Sequence, residues 1–242
     1  MNEESGLVSR SRDADSLHAA LGREGCPVCT VVLESLEHFM DNWQYEGFTD
    51  VEHRQGLIRS RGFCPLHTWQ LAQHNAAFQL AVIYNEILGG IEDELNQECQ
   101  KHGTASQKSS WKPWQRKQSD VFDTNSLYAQ CSICQARGKI EDRIIDTLLE
   151  QLRSQEVRSL LTQSTGLCLM HFYQARNRAS ANDGAILPHL LECQRTCVQR
   201  VLAGVKEQIR KHDYRFGDEP WGTEMSAWRL AAELCAGNPG VR

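Results

Sequence analysis

The feature that most constrains this chain is a set of four residues that occurs twice. Cys26-Pro27-Val28-Cys29 is followed, after 34 residues, by Cys64-Pro65-Leu66-His67. Cys131-Ser132-Ile133-Cys134 is followed, after 33 residues, by Cys168-Leu169-Met170-His171. The first pair is displaced by 105 positions and the second by 104. Two spaced pairs that move together mark an internal repeat, and a repeat must be recognised before any fold is assigned.

The sequence between the pairs repeats in kind. After Cys29 the apolar residues Val32, Leu33, Leu36, Phe39, Met40 and Trp43 fall at helical spacing, as do Ile140, Ile144, Ile145, Leu148, Leu149 and Leu152 after Cys134. These patterns predict helices over 28–43 and 133–152. Thr49 or Asp50 is placed to cap a second short helix in the first copy, and Ser154 does so in the second. Gly62 and Gly166 stand where those short helices stop, in left-handed conformation. A long helix is expected beyond each Cys-x2-His pair, the second one interrupted near 180–188. No segment alternates with period two.

The expectation is an all-α fold: two related helical repeat units packed as one pseudo-symmetric bundle. The organisation reads as a polar N-terminal segment (1–24), repeat one (25–99), a polar linker (100–128), repeat two (129–211) and a C-terminal clasp with a short helix (212–242). Within the linker, Trp111 and Trp114 are expected to dock.

Each copy offers three thiols and one imidazole, the donor set of a tetrahedral metal site. Residues at i and i+3 share one side of a helical turn, so one helix start presents both members of a pair. Pro27 and Pro65 suit a first helical position, which leaves Cys26 and Cys64 at N-caps. There the partial positive charge of the helix end favours a thiolate. The expected sites are Cys26, Cys29, Cys64 and His67 within repeat one, and Cys131, Cys134, Cys168 and His171 within repeat two. Two zinc ions are the expected cofactors, with an iron–sulfur cluster as the alternative. Reactive Cys-x2-Cys dithiols are the other chemistry this pattern supports. A c-type haem is excluded, because His follows neither Cys-x2-Cys directly.

Other signals are read as structural. Cys99-Gln100-Lys101-His102 has no Cys-x2-Cys partner. His189, Cys193 and Cys197 share a helix face that could form a third site with Cys99, but Cys193 and Cys197, with Cys235, are read as core. Glu34, Glu37, Glu141, Asp142 and Asp146 are read as solvated faces, because the Glu-x-x-His spacing of a di-iron bundle is absent. No phosphate loop, nucleophile elbow or zinc-protease motif occurs, so nothing in the sequence names an enzyme. Asp213, Arg215, Asp218 and Glu219 are expected to form an ion-pair clasp. With 26 Lys and Arg against 31 Asp and Glu, the net charge of −5 argues against nucleic acid as a partner. A protein or small ligand is the expected partner instead. The polar start lacks the apolar core of a signal peptide, and no run is long enough for a membrane span. The expected location is the cytoplasm, where thiols stay reduced and bind metals.

The two motif pairs, with the closing stretch Lys211-His-Asp-Tyr-Arg-Phe-Gly-Asp-Glu-Pro-Trp-Gly-Thr-Glu224, resemble an uncharacterised bacterial family. Its members carry two CPxC…GFCxxH units and a similar closing stretch. Ser132 departs from the usual proline, and the linker is long, but every donor is kept. The resemblance covers roughly residues 25–237. It implies the helical fold and the ligand sets, and it carries no activity.

Overall fold

Apolar spacing of three and four residues makes helices of most of the described residues. The computed structural model describes residues 2–103, 131–182, 184–216 and 218–240. The linker residues 104–130, with Trp111 and Trp114, lie outside them. Every regular element among the described residues is helical. In chain order these are α1 (Asn2–Leu21), α2 (Pro27–Asn42), α3 (Val51–Arg59), α4 (Pro65–Gln73), α5 (Ala77–Gly103), α6 (Ser132–Gln151), α7 (Gln155–Gln163), α8 (Leu169–Asn182), α9 (Leu187–Lys211) and α10 (Ala227–Ala236). A π-helical turn, Trp43–Gly47, extends α2. No helix among the described residues is long and apolar enough to cross a membrane.

The element order α2–α5 is run again by α6–α9, with nine-residue helices α3 and α7 at matching places. The expected caps form. Asp50 accepts from the backbone N–H of His53 at 2.9 Å, and Ser154 accepts from that of Glu156 at 3.2 Å. Gly62 and Gly166 take φ of +96° and +90°. A Cβ on Gly166 would lie 2.7 Å from the Cβ of Cys197, so glycine is required there for packing as well as for conformation.

Two expectations are corrected. The helix expected to run on from the first Cys-x2-His pair is two helices, α4 and α5. Asn75 breaks it at φ +61°, a left-handed conformation that Asn tolerates better than most residues. The N-terminal segment is also more than a polar lead. It forms α1, which buries Leu17, Ala20 and Leu21 and packs on α7. Its Asp13 pairs with Arg143 at 2.6 Å.

The chain divides into two compact units that do not follow the repeat boundaries. One comprises 1–36 and 137–242, the other 37–136. In the first, α9 packs against α7, α8 and α10. Its core includes Val28, Val32, Ile144, Leu148, Leu161, Leu190 and Leu234. In the second, α5 packs on α3 and α4. Its core includes Met40, Leu57, Leu71 and Ile83, and Trp43 meets Phe63 edge-on at 4.9 Å. Each unit thus contains helices from both copies of the repeat.

Candidate metal centres

The four first-position cysteines all sit immediately before a helix. Cys26, Cys64, Cys131 and Cys168 precede α2, α4, α6 and α8. Their carbonyls accept from the N–H groups of Thr30, Thr68, Gln135 and Phe172, four residues on. They are therefore N-caps, and the second donor of each pair falls at the third helical position. Four helix starts present two donors each, at the positive ends of their dipoles.

The starts meet across the repeats, not within them. Cys26, Cys29, Cys168 and His171 form the first centre, and Cys64, His67, Cys131 and Cys134 form the second. In each, all four donor atoms lie within 4.8 Å of one another. The expectation of one site per repeat is corrected accordingly. Spacing defines the pairs, but two equivalent copies leave both pairings open. Chain entropy does not decide between them: each doubling of a closed loop costs only about 0.6 kcal/mol, so even the roughly fourfold longer loop of the first centre costs only about 1.2 kcal/mol more.

Local hydrogen bonds aim the donors. Before the first centre, Gly25 N–H donates to Thr165 Oγ1 at 3.0 Å, tying the approach to Cys26 to the approach to Cys168. Gln194, buried on α9, accepts from Leu167 N–H at 2.9 Å and donates to the Leu167 carbonyl at 2.8 Å. This double clamp fixes the residue before Cys168. The backbone of Gly237 closes the site: a Cβ there would stand 3.4 Å from Cys29 Sγ and 3.5 Å from Cys168 Sγ. In the second unit, Tyr84 of α5 packs on Gly62 and meets the Thr68 hydroxyl at 2.8 Å.

Both histidines turn Nδ1 toward the thiols. In the first centre His171 Nδ1 lies 3.6 Å from Cys26 Sγ, 3.4 Å from Cys29 Sγ and 3.3 Å from Cys168 Sγ. Cys29 and Cys168 are 3.7 Å apart. In the second, His67 Nδ1 lies 3.1 Å from Cys64 Sγ, 3.5 Å from Cys131 Sγ and 3.3 Å from Cys134 Sγ. Cys64 and Cys134 are 3.7 Å apart.

Beyond these donors the centres differ. All four residues of the first are buried, whereas Cys64 and Cys134 of the second are half-buried. His171 Nε2 faces Glu141 Oε1 at 3.6 Å, and Glu141 in turn faces Arg137 at 3.5 Å. Glu141 is 6% exposed, so its assignment to a solvated face is corrected. Asp142 and Asp146 do lie on the exposed side, where both pair with Arg178. Nε2 of both histidines is buried without a hydrogen bond among the described residues, and only His171 has a carboxylate facing it.

Without metal, the donors interact as acids. Burial, then contact with Cys168 and Cys29, pushes the Cys26 thiol up. Contact with Cys26 and Cys29 holds Cys168 far below the ordinary thiol range. Burial works to lower His171, but Cys168, Cys29 and Glu141 outweigh it and hold the imidazole at about 11. In the second centre, burial works to raise Cys131, yet His67 and nearby backbone N–H groups bring it to about 6. Burial and the charge of Cys131 raise Cys134 to about 12. Part of each donor set is thus already ionised, and the rest gives up protons to an ion.

Of the remaining cysteines, Cys193 and Cys197 follow the structural reading, whereas the placing of Cys235 in the core is corrected: it lies on the exposed side of α10. Cys193 and Cys197 are buried on α9, and Cys197 Sγ donates to the Leu161 carbonyl at 3.2 Å. Cys99 and Cys235 are exposed. The clasp is built mainly from other pairs than those expected. Lys211 meets Glu224 at 2.6 Å, and Arg210 bridges Glu207 and Glu219, while Asp213 and Arg215 pair with each other.

A family model described as a family of unknown function, DUF6062, matches residues 17–239. No curated protein and no solved structure matches the chain.

Proposed function

We propose that this chain, which belongs to the DUF6062 family, binds two zinc ions and uses them to hold a helical interaction module together. The observation that carries the reading is the spacing of the donors. A tetrahedral ion with metal–sulfur bonds of about 2.3 Å and metal–nitrogen bonds of about 2.0 Å sets sulfurs about 3.8 Å apart, and sulfur and nitrogen about 3.5 Å apart. Cys29 and Cys168, and Cys64 and Cys134, stand with sulfurs 3.7 Å apart, and the imidazole contacts run from 3.1 to 3.6 Å. In an iron–sulfur cluster the four ligands are divided among two or more irons, which spreads the set more widely than a single ion does. The donor spacing therefore favours zinc over the cluster alternative.

Four protein donors fill a tetrahedral ion and leave no position for substrate, which supports a structural role over a catalytic one. Exposed aromatic side chains, Tyr45, Trp69 and Phe78 in one unit and Tyr214, Trp221 and Trp228 in the other, suit engagement of a protein or small ligand. Ten unpaired cysteines suit the reducing cytoplasm.

Elemental analysis of protein purified without oxygen tests the metal. Two zinc ions per chain and no visible colour are expected. A brown protein absorbing near about 400 nm overturns the zinc reading in favour of clusters. Hydrogen exchange with and without chelator tests the role. Protection should fall at 25–30, 63–68, 131–135 and 167–172 while α5 and α9 persist. Unchanged protection after confirmed metal loss overturns the structural role.

A further inference from the structure

The two centres hold similar donors in different surroundings. In the first, every thiol is buried, a Cβ at Gly237 would already touch two sulfurs, and Glu141 faces the histidine. In the second, two of three thiols are half-buried, Cys64 and Cys134, and their sulfurs stand 3.7 Å apart. Cys131, the remaining thiol, is buried. Among the described residues no carboxylate pairs with His67, whereas His171 Nε2 has Glu141 at 3.6 Å. An outer-sphere carboxylate strengthens a metal-bound imidazole, and burial keeps reagents from thiolates. The centre lacking both is the one open to attack.

We propose that the second centre is an oxidation site: hydrogen peroxide joins Cys64 to Cys134 as a disulfide and releases the metal, while the first centre keeps its own. The inference rests on the metal-binding reading above. One thiolate of the pair attacks the peroxide O–O bond, forming a sulfenic acid and releasing one hydroxide. The second thiolate attacks that sulfur, forming the S–S bond and expelling a second hydroxide. Two electrons pass from the two sulfurs to the peroxide, and two protons from solvent turn the hydroxides to water. The ion is not itself oxidised. Left with His67 and Cys131 as ligands, it departs. Reduction by a dithiol restores the set.

The test uses the intact chain loaded with zinc and treated with hydrogen peroxide. Released zinc is followed with a chromogenic chelator, and disulfides are mapped by peptide mass spectrometry after free thiols are blocked. One equivalent should leave at least about tenfold faster than the other. The bridge should join Cys64 to Cys134, and dithiothreitol with zinc should restore two equivalents. Release of both ions at one rate, retention of both, or a bridge at Cys29–Cys168 or Cys131–Cys134 overturns the proposal. The metal content is measured before oxidant is added. A chain that takes up no metal, even after reconstitution, overturns the metal reading and this inference together. A chain that holds two ions through peroxide overturns only the inference.

Discussion

Glu141 stands behind His171: its carboxylate lies 3.6 Å from the imidazole nitrogen that faces away from the thiols, in a site closed to solvent. A carboxylate there fixes the ring and raises its basicity toward a metal. Glu141→Gln keeps the shape and removes the charge. It should weaken zinc binding at the first centre about 10- to 100-fold and leave the second unchanged. Competition with a chelator of known affinity resolves the two steps. Equal weakening of both would show a general loss of stability instead.

Crossed pairing makes a prediction that pairing within repeats does not. Cys29→Ser or Cys64→Ser alone should each remove one metal equivalent. Combined, they should remove both, because the residues belong to different centres. Cys64→Ser with Cys134→Ser should still remove only one. Metal counts per chain on the two double variants decide between the pairings.

Acid should release the first ion. His171, held at about 11 in the metal-free chain, supports that form fully below its ordinary value near about 6.5 and loses the contribution as pH rises through about 11. The metal needs the neutral ring and the ionised Cys26, whose thiol is pushed up by burial. Binding near neutral pH should therefore release at least two protons, and affinity should rise at least about 100-fold per pH unit. Calorimetry in buffers of different ionisation enthalpy counts the protons. Binding with no proton release would contradict this account.

Two glycines should respond in opposite directions. Gly166→Ala places a methyl 2.7 Å from Cys197 at φ +90° and should destabilise the fold by about 1–3 kcal/mol. Gly56, inside α3 with nothing within 4 Å of an added Cβ, should gain about 0.5–1 kcal/mol as alanine. Urea unfolding of the metal-loaded variants measures both.

The donors and their helix starts were legible because their physics is local. An i, i+3 pair, a proline at 27 or 65 and a cap at Asp50 or Ser154 act within one turn of chain. The partnership of Cys26 with His171 was not legible, because the spacing is the same whichever copy completes the set. Glu141 was misread for a related reason. It lies one residue from Asp142, and only the packed helix shows that one faces the imidazole and the other Arg178. Gln194 carried no signal either, as its bonds to Leu167 span 27 residues. The break at Asn75 was hidden in an apolar pattern that α4 and α5 continue across it.

Crossing the donor pairs also sets an order on synthesis. A nascent chain that has grown to Gly103 already carries Cys26 and Cys29 of one centre and Cys64 and His67 of the other. It holds half of each set and can complete neither. The centre containing Cys64 becomes possible once Cys134 has been made, and the one containing Cys26 must wait for His171. The earlier centre to finish is the more exposed one, and a chain truncated before residue 131 keeps four donors without a single complete site.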